Sequence, residues 1–295
     1  MAEQPLVYAD KISSIDRKEN TNIGIENWED YIYHATETFG KNLYNPNGEY
    51  KYTTSDGKDL GYFDVTYHQF SVEAVDSPFI TNPENIFVGK TTLTNNTDQE
   101  QTLSTNSFSK MISNSVSYAT THGYKFGTKA SGKLGIPLIG ETGMELSAEY
   151  NFSDTDNRTN SENFTYTVSP QNIKVPANSS VEVIVQLDSV TAKGNVKLIT
   201  NMSGRDEGTF EYTNTAAFYQ QNFNQIVLYA SNFEDFPYIS ANPDGKTINL
   251  IGSGKYEAKY GTEFSVTVKP IKHRDTREID KGYTYKVKPF ITKEN

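Results

Sequence analysis

Between Tyr124 and Phe152 the chain twice alternates apolar with polar residues, and a period of two is met only by an extended strand with one apolar face. The even positions of the first run are Tyr124, Phe126, Thr128, Ala130, Gly132, Leu134 and Ile136; the odd ones are Lys125, Gly127, Lys129, Ser131, Lys133 and Gly135. A break, Pro137-Leu138-Ile139-Gly140-Glu141-Thr142-Gly143, precedes a second run. This run carries Met144, Leu146, Ala148, Tyr150 and Phe152 on one face and Glu145, Ser147, Glu149, Asn151 and Ser153 on the other. Pairing about Gly140 sets Leu134 opposite Leu146 and Gly132 opposite Ala148, so both apolar sets fall on one side of a two-stranded ribbon. Lys133 then has Glu145 and Glu149 as diagonal neighbours.

Arms of about ten to thirteen residues match the roughly 9–11 that a tilted strand needs to cross a bilayer. In that setting the even residues face lipid and Lys125, Lys129, Lys133, Glu145 and Glu149 face a water-filled lumen, with Pro137 to Gly140 at the tip. An ordinary hairpin resting one face on a protein core produces the same alternation. No run approaches the roughly 18 apolar residues of a membrane helix. A lone hairpin would leave its edge hydrogen bonds unmet in lipid, so spanning requires a closed barrel, and water-filled barrels of roughly 16 strands imply about eight copies. On this reading Leu146→Arg leaves the soluble fold intact and abolishes permeabilisation, while a neutral residue at Lys129 alters ion selectivity.

The remaining composition narrows the classes. The chain has 295 residues, no cysteine, 35% hydrophobic residues and 20 tyrosines, a β-rich and polar-surfaced balance without a thiolate nucleophile, disulfide or cysteine metal site. A formal net charge of −10 argues against nucleic acid. His34, His68, His122 and His273 lie far apart without metal-ligand spacing, and no nucleophile elbow, phosphate loop or dinucleotide fingerprint is present, so neither cofactor nor catalysis is expected. Met1 to Pro5 lacks the regions of a signal peptide; export by another route or a missing leader fits equally.

Along the chain, apolar residues at 25, 28, 32, 35 and 39 predict one amphipathic helix from Ile25 to Phe39, stopped by Gly40. Short tyrosine-rich strands follow, and Trp28, Tyr31, Tyr33, Tyr50, Tyr52, Tyr62 and Tyr67 are candidates for an exposed aromatic patch on a small α+β head over residues 1–86. Ser/Thr/Asn-rich tracts over 87–121 and 154–200 predict long central strands flanking the hairpin, 122–153. Val181, Val183, Val185 and Leu187 alternate with polar residues, and with 201–270 they predict a C-terminal β-sandwich. Over 271–295 seven basic residues meet four acidic ones, and Lys272, Arg274 and Arg277 offer trypsin-like cleavage sites.

Three stretches carry a family resemblance. Phe87-Val88-Gly89-Lys90-Thr91-Thr92-Leu93-Thr94-Asn95-Asn96-Thr97 with Gln99-Glu100-Gln101 is one. Val175-Pro176-Ala177-Asn178-Ser179-Ser180-Val181-Glu182-Val183-Ile184 with Gly194-Asn195-Val196-Lys197-Leu198 is the second. Pro243-Asp244-Gly245-Lys246-Thr247-Ile248-Asn249 with Gly252-Ser253-Gly254-Lys255-Tyr256 is the third. In this order, from Phe87 to Lys269, the chain resembles the clostridial epsilon toxin and mosquitocidal toxin family of aerolysin-like pore formers.

That resemblance implies an elongated, mainly β fold with long twisted strands, a sandwich, a receptor-binding head and a C-terminal propeptide in 271–295. It implies a secreted or spore-crystal-associated bacterial protoxin, insecticidal in several relatives. Its partners would be a protein or glycan receptor on a target-cell membrane, an activating host protease, and further copies of itself in a homo-oligomeric ring whose hairpins make a β-barrel. A non-lytic, lectin-like binding protein is the alternative.

Overall fold

The computed structural model describes residues 24–44, 51–54, 62–137, 145–212, 215–271 and 282–294. The chain opens with strand β1 (Gly24–Asn27) and helix α1 (Trp28–Tyr44). Asn27 Oδ1 accepts the Glu29 N–H at 3.4 Å, and Glu29 and Asp30 sit at the positive end of the helix dipole. The helix buries Trp28, Ile32, Ala35 and Phe39, one stripe at helical spacing. It begins three residues later than the periodicity predicts, because Ile25 is taken into β1, and it passes through Gly40. Gly40 is there for space rather than for a stop: a Cβ on it would lie 2.1 Å from the Phe210 ring.

Next come β2 (Lys51–Thr54), β3 (Tyr62–Ala74), β4 (Phe79–Ile80), β5 (Glu84–Asn95), β6 (Gln101–Ser104) and β7 (Phe108–Lys125). They lead into β8 (Ser131–Pro137), β9 (Glu145–Asn151), β10 (Arg158–Val168), β11 (Asn172–Val175) and β12 (Ser179–Tyr212). The chain then forms β13 (Thr215–Asn222), helix α2 (Phe223–Ala230), β14 (Ile239–Ala241), β15 (Thr247–Pro270), β16 (Tyr283–Val287) and β17 (Phe290–Lys293).

The fold is mainly β and built around β12, whose 34 residues would reach about 110 Å if straight, at roughly 3.3 Å each. One edge of β12 is covered in turn by β5, β4, β3 and β2. The other pairs antiparallel with β15 from Val181↔Pro270 to Ser203↔Thr247, and then with β13. Beyond β15 lie β7, β10 and β17. Among the described residues, β6 with β11 and β8 with β9 form separate two-stranded sheets.

Two cores result. Val183, Val185 and Leu187 of β12 are fully buried with Phe264, Val266 and Val268 of β15, and this cluster runs on to Tyr150 and Phe152. At the other end α1 shares a core with Met202 and Phe210 of β12, Phe223, Ile226 and Val227 of α2, and Ile248 and Leu250 of β15. The N-terminal helix thus buries its stripe against residues more than 160 positions away.

The Ser/Thr-rich stretches become β5, β7 and β10, stitched across their exposed faces by hydroxyl pairs: Ser109 with Thr167 at 2.8 Å, Ser117 with Thr159 at 2.8 Å, and Thr94 with Ser180 at 2.9 Å. The basic tail joins the sheet as well. Tyr283–Val287 pairs with Phe264–Val268 and Phe290–Lys293 with Phe164–Thr167, so the tail covers edges of both β15 and β10. Lys286 Nζ bonds the Asp188 carboxylate, which is 2% exposed and also accepts from Ser265 Oγ at 2.9 Å. Lys272, Arg274 and Arg277 lie outside the described residues.

Candidate functional site

The second alternating run becomes β9, and part of the first becomes β8. Their register is Ser131↔Asn151, Leu134↔Ala148 and Ile136↔Leu146. This corrects the pairing about Gly140 by two residues; parity survives the change because the shift is even. Lys133 therefore stands directly across from Glu149, with Nζ 3.8 Å from Oε2, rather than diagonal to it. Tyr124 and Lys125 belong to the end of β7, and Phe126 to Ala130 connect β7 to β8.

The apolar face of this hairpin is turned onto the body of the protein. Ala130, Ile136, Leu146, Ala148, Tyr150 and Phe152 are buried, and Phe126 and Leu134 are partly buried against the same cluster. Hairpin and body meet closely where side chains are small or absent on either side. A Cβ on Gly132 would lie 2.7 Å from Val72 Cγ2, and one on Gly254 would lie 2.8 Å from the Tyr150 ring. Tyr150 reaches past Gly254 to donate its hydroxyl to Lys255 O at 3.1 Å. Phe126 and Phe152 lock edge-on around Phe70, with centroids 5.4 and 5.6 Å away.

The opposite face is polar and open: Lys125, Lys129, Lys133 and Glu145 are exposed and Glu149 half-exposed. Pro137 ends β8; Leu138, Ile139, Gly140 and Met144 lie outside the described residues. Because Leu146 is 3% exposed, an arginine there would bury an unpaired charge in the soluble protein. The expectation that Leu146→Arg spares the soluble fold is thereby withdrawn.

What holds the hairpin down is mostly not sheet hydrogen bonding. Thr120 Oγ1 donates to Asn151 O at 2.6 Å, Ser153 Oγ to Tyr124 O at 2.8 Å, and Asn160 Nδ2 to Ser147 O at 3.2 Å. One backbone bond joins its root to β7, Tyr124 N–H to Phe152 O at 2.9 Å, while Phe152 N–H to Ala130 O at 3.0 Å closes the hairpin's own ladder. Such an element is attached by its apolar face and a few side chains, the pattern of a unit that opens below the global unfolding free energy.

At the hairpin root, β1 runs parallel to the end of β7, pairing Gly24 with His122 and Asn27 with Lys125. His122 is 3% exposed, with Nε2 3.3 Å from Glu26 Oε2 and its ring 4.4 Å from that of Tyr238. Tyr31 gives its hydroxyl to the same Glu26 carboxylate, and Tyr124 packs edge-on to Tyr31 at 5.5 Å.

The aromatic residues proposed for a surface patch divide. Trp28 is a core residue, 5% exposed, edge-on to Tyr67 at 6.3 Å. Tyr31, Tyr33 and Tyr67 are half-buried. Tyr50 lies outside the described residues, and of Tyr52 and Tyr62 only the strand positions are described. The large apolar side chains exposed around the helices are different ones: Leu43 at 45%, Phe218 at 62%, Leu228 at 57% and Phe233 at 50%. Neither Leu228 nor Phe218 was singled out in the sequence, where 201–270 reads as strands; the helical spacing of Phe223, Ile226, Val227 and Ala230 is the signal that sets Leu228 on the solvent side. Among the described residues no group of three or more His, Asp and Glu is placed to hold a metal, and no helix is long and apolar enough to cross a membrane.

Residues 43–281 match the model of the family described as Clostridium epsilon toxin ETX/Bacillus mosquitocidal toxin MTX2. The structure is similar to the Mpp75Aa1.1 beta-pore-forming protein from Brevibacillus laterosporus, with 22% identity, a TM-score of 0.70, and coverage of 90% of this chain and 95% of that one. It is also similar to a chain of the Cry23Aa1 and Cry37Aa1 binary protein complex, at 20% identity and TM-score 0.56 over 91% of this chain and 100% of that one. A non-toxic crystal protein from Bacillus thuringiensis shares the fold at 18% identity and TM-score 0.56, over 84% and 98% of the respective chains. At such identities the likeness is one of fold. No curated protein matches the chain in sequence.

Proposed function

The chain belongs to the Clostridium epsilon toxin ETX/Bacillus mosquitocidal toxin MTX2 family, and from that premise we propose that it is an aerolysin-like β-pore-forming protoxin whose hairpin, residues 122–153, leaves the body and lines a membrane barrel. The observation that carries this reading is the stowed amphipathic ribbon: Leu146, Ala148, Tyr150 and Phe152 buried against the body while Lys129, Lys133 and Glu145 stand in solvent. A face already covered by protein exchanges that cover for lipid at little hydrophobic cost, at roughly 25 cal/mol per Å² on either side. The net drive then comes from barrel hydrogen bonds completed between neighbouring copies.

Activation is by a protease acting near Lys272, Arg274 or Arg277, ahead of the strands β16 and β17 that cover two sheet edges. Removing the tail frees these edges for other copies, since unpaired strand edges are templates for pairing. The receptor-binding region is the helical end, with Leu43, Phe218, Leu228 and Phe233 as contact candidates beside Tyr31 and Tyr33. Action outside the producing cell, on insect membranes, follows the mosquitocidal branch of the family.

The test is dye release from vesicles of target-tissue membranes, with and without trypsin, beside a gel for heat-resistant oligomers. Release and a large oligomer only after cleavage support the reading. Binding without release under both conditions gives way to a lectin-like binding protein.

A further inference from the structure

The β7–β10 ladder and the β8–β9 hairpin are out of step with each other. In the ladder Tyr118 faces Arg158 and Phe108 faces Val168. Continued toward the hairpin, that register sets Tyr124 opposite Phe152, and the Tyr124 N–H does bond Phe152 O at 2.9 Å. In the hairpin Ser131 faces Asn151, which continued backward sets Ala130 opposite Phe152, and the Phe152 N–H bonds Ala130 O at 3.0 Å. Phe152 thus serves both registers, and the first arm holds six positions of slack between Tyr124 and Ala130.

Resting on the pore-forming reading, we propose that insertion is a six-residue slip of the hairpin into the register of β7 and β10, so that Phe126 to Ala130 are stored strand rather than connector. Phe152 N–H moves from Ala130 O to Tyr124 O, an acceptor kept satisfied until then by the Ser153 hydroxyl at 2.8 Å. Six is even, so no side chain changes face. Phe126 comes opposite Tyr150, Thr128 opposite Ala148 and Ala130 opposite Leu146, all on the apolar face. Lys129 comes opposite Ser147, diagonal to both Glu145 and Glu149, and the alternation of charge on the polar face is retained.

Length demands such a move. The β8 arm has seven residues, about 23 Å at roughly 3.3 Å each, against the roughly 9–11 residues of a tilted membrane strand. After the slip the first arm runs unbroken from β7 through Ile136, and Pro137 enters the turn, because the register of the ladder continued through the hairpin centres on position 138. The hairpin moves rather than the ladder because the ladder is the stronger frame. It has eleven paired positions and cross-links between Ser109 and Thr167, Ser117 and Thr159, and Asn114 and Tyr166, against seven pairs in the hairpin.

The chain has no cysteine, so introduced pairs report register directly. Lys133→Cys with Glu149→Cys face each other in the stowed register, and Lys129→Cys with Ser147→Cys in the slipped one. The latter pair is six positions out of step when stowed, about 20 Å, well beyond the roughly 7 Å limit for a disulfide. Both variants are kept reduced, activated with trypsin, added to vesicles for dye release, then oxidised and mapped for intramolecular bonds by mass spectrometry. The expected result is a 133–149 bond in the soluble protein and a 129–147 bond in release-competent pores, with oxidation of the first variant before mixing blocking release until reductant is added. Release-competent pores that form the 133–149 bond and not the 129–147 bond overturn the slip while leaving pore formation intact. Absence of release from both reduced variants and from the unmodified chain overturns the pore reading itself.

Discussion

Gly132→Ala separates the stowed hairpin from the inserted one by a single methyl group. In the stowed state the new Cβ lies 2.7 Å from Val72 Cγ2 and 3.3 Å from the Phe152 ring, where carbon atoms prefer about 3.5–4.0 Å. Such overpacking costs about 1–3 kcal/mol, and the backbone gain of replacing glycine returns about 0.4–1 kcal/mol. The stowed state is thus weakened by about 1–2 kcal/mol, a five- to thirtyfold rise in the opening equilibrium at about 1.4 kcal/mol per factor of ten. In lipid the same methyl gains about 0.8 kcal/mol. Dye release by activated protein at equal concentration should therefore be about five- to thirtyfold faster, with a lower thermal midpoint before activation. Because the clash is with Val72, adding Val72→Ala should recover part of the loss, a coupling of about 1 kcal/mol in a double-mutant cycle. Unchanged or slower release from Gly132→Ala, or strict additivity with Val72→Ala, would refute the docking of this face as the brake on insertion.

Three further substitutions have outcomes worked from the same structure. Lys129→Gln should keep lysis and shift the channel toward cations, read as a change in reversal potential across a salt gradient; an unchanged potential removes Lys129 from the lumen. Lys286→Gln should lower unfolding stability by about 1–2 kcal/mol, less than the roughly 3–5 kcal/mol of a fully buried pair because Lys286 is half exposed, and an unchanged thermal midpoint would show the contact with Asp188 to be idle. Burial pulls the Lys286 ammonium down, but its bond to Asp188 and the charges of Asp188 and Glu263 more than offset this, so its pKa stands above its ordinary value. The stability it adds is accordingly present below about pH 10.5 and lost as pH rises through the folded value, and Lys286→Gln should lack that alkaline decline in thermal unfolding. Gly40→Ala, set 2.1 Å from the Phe210 ring, should destabilise the helical end by about 1–3 kcal/mol, measured as loss of amide protection in α1 with the rest retained.

The alternation of residues 124–152 was readable because it needs no partner: face and parity are properties of the strand itself. Its register was not, since the pairing about Gly140 presumed a symmetric turn, whereas the position of Phe152 against both Tyr124 and Ala130 sets the actual frame. Gly40 looked like a helix stop because glycine usually ends helices, and only the distant Phe210 explains its use inside one. Trp28 and the half-buried tyrosines looked like a surface patch for the same reason. Trp28 is covered by Phe223 of α2, Tyr31 by Tyr124 and Tyr238, and Tyr67 by Phe126, all distant along the chain. The basic tail read as a separate segment by charge, yet Tyr283 to Val287 alternate as a strand, and their place beside β15 depends on an edge that the sequence does not announce. Long-range pairing is what local pattern omits.

The central claim, that the stowed face of the hairpin becomes the lipid face, is met most directly by single cysteines at Glu145, Leu146, Ala148 and Glu149 carrying a fluorescent probe, in vesicles containing nitroxide-labelled lipid. In activated, release-competent samples the probes at 146 and 148 should be quenched by the lipid nitroxide and those at 145 and 149 left bright. Equal quenching at all four positions, or none at 146 and 148 while dye escapes, would contradict it.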